Sequence, residues 1–107
     1  MIDRRIEDKL RTLGLTGVYQ GYFCLIHAVQ LAEEDPQRLT LPTKWLYPDV
    51  AQLCSMSTGQ VDSALRSAIR RCCTACGSEV TRMCGTDTPT VAGFISSLLI
   101  DLQGSER

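Results

Sequence analysis

Gln60, Asp62, Ser63, Arg66, Ser67 and Arg70 recur at spacings that put them on the outer side of one helix. They are short or hydrogen-bonding groups, the kind that reads base edges in the DNA major groove. A glutamine there can pair with adenine and an arginine with guanine, each through two hydrogen bonds. Immediately before them, Ser57-Thr58-Gly59-Gln60 fits a capping box, with Ser57 as N-cap and Gln60 reaching back to it. Ser57 and Thr58 therefore sit at a helix start suited to phosphate oxygens, and Lys44, Arg70 and Arg71 are further phosphate candidates. The plainer alternative is a helical hairpin whose polar face is only solvated.

Other residues invite chemistry and fail on spacing. The chain has six cysteines, and Cys73-Thr74-Ala75-Cys76 has the pair spacing of metal or redox motifs. Structural zinc needs four ligands. Cys72 and Cys84 are near in sequence, but Cys72 and Cys73 diverge by ~100° on a helix, and the one histidine, His27, lies on another element. A thioredoxin-like site would need a βαβ setting. Free thiols packing mostly as small apolar groups are expected, with no metal and no cofactor. No acid, base and nucleophile can be assigned together, and Glu33-Glu34-Asp35 reads as a solvated helix end, so no catalytic residues and no enzyme are expected.

The elements that must position the polar face are all helical. Ile2, Ile6, Leu10 and Leu13 share one helical face that stops at Gly14. A second helix starts near residues 16–18, buries Tyr22, Leu25, Ile26, Val29 and Ala32, and ends before Pro36. Pro48 predicts a fresh helix start, after which Val50, Leu53 and Cys54 face inward. Ser55-Met56-Ser57 is a turn, and Val61, Ala64, Leu65, Ala68, Ile69 and Cys72 line the buried side of the long helix 58–76, with Gly77 as its C-cap. A short helix over 79–84 ends at Gly85. Thr88-Pro89 then caps a last helix that buries Val91, Phe94, Ile95, Leu98, Leu99 and Leu102 and closes at Gly104. A short helix, a tight turn and a longer helix over about 47–76 make a helix-turn-helix. The reading is one all-α domain over 1–107, a compact bundle of five to six helices, with no convincing strand.

Composition sets bounds on this. At 44% hydrophobic and 21% charged residues the chain is ordinary globular protein. No apolar run approaches the ~20 residues that span a bilayer, and the N-terminus lacks a secretory apolar core, so a cytoplasmic location is expected. The net charge of −1 argues against unspecific, charge-driven nucleic-acid binding and leaves room for a local basic strip at Arg66, Arg70 and Arg71.

The residues also resemble a family. Gly21-Tyr22, the run Thr43-Lys44-Trp45-Leu46-Tyr47-Pro48-Asp49-Val50-Ala51, the spacing of Val61, Ala64, Leu65, Arg66, Ala68 and Ile69, and Pro89-Thr90 before Phe94-Ile95 carry the resemblance. Together they resemble the C-terminal DNA-binding domain of the bacterial sporulation-initiation response regulator, over about residues 13–102. The resemblance implies a six-helix fold in which two consecutive helices form the helix-turn-helix, and a transcriptional regulator acting at promoters. It implies double-stranded DNA as partner, RNA polymerase sigma factor as a second one, no membrane, and a monomer or weak dimer.

By position, the family's DNA contacts fall on Thr58, Gln60, Asp62, Ser63, Arg66 and Ser67. Arg66 matches a family arginine, and Asp62 replaces a glutamate. Ser63 and Ser67 stand where the family has an arginine and a histidine, and the segment between Cys84 and Pro89 is shorter. The family's receiver domain is absent from this chain, which is either an excised domain or a stand-alone relative. The expected function is sequence-specific DNA binding by helix 58–76. Its rival is a non-catalytic protein-interaction module that kept the fold and lost DNA reading.

Overall fold

The computed structural model describes residues 3–105, so Ile2 lies outside the described residues. The chain folds into α1 (Arg4–Thr12), α2 (Gly21–Glu34), a 3-10 turn (Pro36–Thr40), α3 (Pro42–Trp45), α4 (Tyr47–Cys54), α5 (Thr58–Ala75), α6 (Gly77–Cys84) and α7 (Val91–Ser105). All regular structure among the described residues is helical. There is one helix more than the sequence resolves, because Pro42–Trp45 closes a turn of its own. Pro42 starts it, and the chain breaks at Leu46 before Tyr47-Pro48 begins α4. Pro48 sits in the first turn of α4, where a missing N–H costs nothing.

Most of the boundaries agree with the local signals. Ser57 accepts a hydrogen bond from the Gln60 backbone N–H at 3.1 Å while its own N–H donates to Gln60 Oε1 at 2.9 Å, completing the capping box of α5. Ser55 adopts φ +55°, the left-handed turn that lets α5 leave α4 at an angle. Four boundaries differ from expectation. The stretch before α2 is a turn, held by the Tyr19 N–H on the Thr16 carbonyl, and the helix begins only at Gly21. Gly77 opens α6, and Cys76 is the C-cap of α5. Thr90, not Thr88, caps α7: its hydroxyl accepts from the Gly93 N–H at 3.0 Å. Helix α7 also runs one residue past Gly104.

One hydrophobic cluster holds the elements together. It contains Ile6, Leu10 and Leu13, most of the inner face of α2, Val50, the α5 stripe Val61, Ala64, Leu65, Ala68, Ile69 and Cys72, and the α7 stripe from Val91 to Leu102. The side of each helix read as buried is therefore buried, with one exception. Leu53 is 55% exposed, because the α4 stripe runs through Tyr47, Val50, Ala51 and Cys54, and a residue at position 53 projects away from it.

Candidate nucleic-acid interface

Helix α5 is positioned from behind by α2. Gly21 lies so close to α5 that a Cβ there would stand 2.3 Å from the Ala64 carbonyl oxygen and 2.8 Å from the Ala68 Cβ. From the turn side it is held by α4, where Val50 and Ala51 are buried. The opposite face of α5 is open. Thr58, Gly59, Gln60, Ser63, Arg66, Ser67, Arg70 and Arg71 are all exposed, while Asp62 is half-buried. At 18 residues α5 is about 27 Å long, and its polar face is unobstructed over the first three turns.

The predicted site residues divide into two flanks. Ser57, Gln60, Ser63, Ser67 and Arg71 border a groove of about 590 Å³ whose far wall is Tyr19 and Gln20. The Arg71 guanidinium lies 4.9 Å over the Tyr19 ring, a cation–π contact that holds its charge at the end of this groove. Arg66 and Arg70 border a second hollow of about 380 Å³, closed by Asp87, Thr88 and Thr90 from the segment before α7. Thr58 borders neither groove and sits at the exposed start of α5. Lys44 stands apart on α3, with its amine 5.5 Å over the Trp45 ring.

Asp62 is paired within its own helix. Its carboxylate accepts from Arg66 Nε at 3.0 and 3.1 Å. Burial, and then the neighbouring Asp62, push the Tyr47 phenol up to about 12. Asp62 therefore pairs with Arg66 along α5 and lies near the buried Tyr47 of α4. Tyr19 and Gln20 are the residues that sequence reasoning missed. Their signal was their place directly before Gly21, where α2 touches α5.

The remaining chemistry is quiet. All six cysteines are free thiols. Burial raises Cys72 to about 12 and pushes Cys73 and Cys84 up as well, which keeps them protonated at neutral pH. Among the described residues no three His, Cys, Asp or Glu side chains are grouped to hold a metal ion, and no helix is long and apolar enough to cross a membrane.

The sequence model of the family described as sporulation initiation factor Spo0A C terminal matches residues 6–99, nearly the whole chain. The chain belongs to this family. The Spo0A C-terminal family is a regulatory and not a catalytic one, and the helix-turn-helix over α4 and α5 is that of a DNA-binding regulator domain. The match spans every element that forms or supports the exposed face of α5, from Ile6 in α1 to Leu99 in α7.

Proposed function

We propose that this domain reads a specific DNA sequence as a transcriptional regulator, with α5 lying in the major groove. The observation that carries the reading is the unobstructed polar face of α5, with hydrogen-bonding side chains in its first turns and arginines beyond them. Gln60 and Arg66 are the base-reading residues, pairing with adenine and guanine. Ser63 and Ser67 are short enough to let the backbone of α5 approach the bases and make single hydrogen bonds. Thr58 and Ser57 present the helix start to a phosphate, and Lys44, Arg70 and Arg71 hold phosphates on either side. Asp62 orients Arg66 and does not itself face a base. The domain acts as a monomer or weak dimer, and RNA polymerase sigma factor is the protein partner that the family likeness implies.

Selection from random duplexes followed by binding measurements tests this. A preferred sequence should emerge, and Arg66→Ala should weaken binding to it by ~1–3 kcal/mol while leaving unselected duplexes nearly unaffected. No preferred sequence, together with wild-type binding by Arg66→Ala, would overturn it. The rival interaction module draws support from the net charge of −1 and from the serines at 63 and 67. It predicts no duplex binding at all.

A further inference from the structure

We propose that Cys24, Cys54 and Met56 form a binding site for a soft monovalent metal ion of the copper(I) class, set between α2 and the turn of the helix-turn-helix. The three sulfurs come from three places: the middle of α2, the last residue of α4, and the turn before α5. The Cys24 thiol donates to Met56 Sδ at 3.5 Å, and Cys54, at the end of the α4 helix that packs against α2, is the neighbouring thiol whose charge bears on Cys24. Cys24 is buried, while Cys54 and Met56 are half-buried and give access from solvent.

The donor set selects the ion. Two thiols and a thioether are soft ligands, which favour copper(I) over the hard divalent ions. Zinc would need a fourth ligand, and no trio of His, Cys, Asp or Glu that could hold a metal ion occurs among the described residues. Three sulfurs at about 2.3 Å from a metal stand about 4 Å apart. The 3.5 Å pair therefore has to open by only roughly half an ångström. Binding replaces the two thiol protons: the ion bonds to both thiolate sulfurs and to the thioether, two protons leave to solvent, and nothing is oxidised or reduced. The site lies where a ligand has leverage on α5. Met56 directly precedes Ser57, the N-cap of α5, and a metal holding Cys54 and Met56 to Cys24 fixes the turn against α2.

The test is anaerobic titration of the full, reduced chain with copper(I) supplied from a chromophoric copper(I) chelator. Uptake is followed by loss of chelator colour and by the ultraviolet sulfur-to-copper charge-transfer band. Wild type should take one equivalent in competition. Cys54→Ser, at a half-buried position that tolerates the change, should weaken that uptake at least ~100-fold, beyond what loss of an outer-shell partner costs. Met56→Leu, close in volume, should weaken it about 10-fold. Cys73→Ser and Cys84→Ser should leave it unchanged. Failure of wild type to compete for the ion overturns the site, as does wild-type uptake by both Cys54→Ser and Met56→Leu. No DNA is present in the assay, so its outcome is independent of the DNA reading.

Discussion

The Gly21 backbone lies against the Ala64 carbonyl so closely that a methyl group on Gly21 would stand 2.3 Å from that oxygen. Backbone on one side and the Ala68 Cβ on the other cannot swing away as a flexible side chain would. Gly21→Ala should therefore destabilise the fold by about 1–3 kcal/mol or more, the range of overpacked cores. Gly77 has open space around its Cβ position and lacks a left-handed φ. Gly77→Ala should be neutral or stabilising by up to about 1 kcal/mol. Chemical denaturation of the two variants separates the effects, and equal midpoints would show that α2 and α5 are not in close contact.

Leu65 and Ile69 join α5 to the core at 0% and 4% exposure. Truncating either to alanine should cost ~2–5 kcal/mol. A loss below ~0.5 kcal/mol in denaturant unfolding, the scatter of surface sites, would mean that α5 buries another face.

Acid should weaken the contact between the first and last helices. Lys9 Nζ lies 2.5 Å from Asp101, and Arg82 bonds both Asp101 and Glu79, linking α1, α6 and α7. Lys9 first, and Arg82 after it, hold the Asp101 carboxyl below the usual aspartate range. A carboxylate lowered in the folded state stabilises fully above its unfolded value of about 4, and that stabilisation fades as pH falls through the folded value. Asp101→Asn should cost about 1 kcal/mol at pH 7, between exposed pairs and well-buried charged hydrogen bonds. The difference from wild type should vanish in the most acidic samples. A gap that stays constant from neutral pH down to about pH 2 would contradict the assignment.

Asp62 is the carboxylate bonded to Arg66 on the face of α5. Asp62→Asn removes a negative charge from the DNA-facing side and releases Arg66. Affinity for unselected duplex should rise about 2–5-fold at low salt, with less gain at high salt, while the preference for the selected sequence, which needs Arg66 oriented, should fall. Weaker binding to unselected duplex would show that the Asp62–Arg66 pair is needed intact, and unchanged binding that the Asp62 charge does not face the DNA.

The buried stripes of α1, α2, α5 and α7 were legible because each spans two or more turns, so periodicity outweighs any single residue. Leu53 was misread because its apolar type was taken over its position, which points away from the stripe of Tyr47, Val50 and Cys54. The cap of α7 was misplaced because Thr88-Pro89-Thr90 offers two threonines, and only the second reaches the Gly93 N–H. On α5 the outward residues were visible from spacing alone. The burial of Tyr47 near Asp62, and the wall of Tyr19 and Gln20, depend on how α4 and the approach to α2 pack on α5. No local pattern encodes that packing.

The central claim is that α5 and its flanking cations bind duplex DNA, and its most direct test is a salt series of binding to mixed-sequence duplex. Each neutralised phosphate contributes about −0.9 to the slope of log affinity against log salt. Contacts from Lys44, Arg70, Arg71 and the start of α5 predict a slope of about −3 to −4, and Arg70→Ala should flatten it by about one. A wild-type chain that binds no duplex, or binds with a slope indistinguishable from zero, would contradict the account.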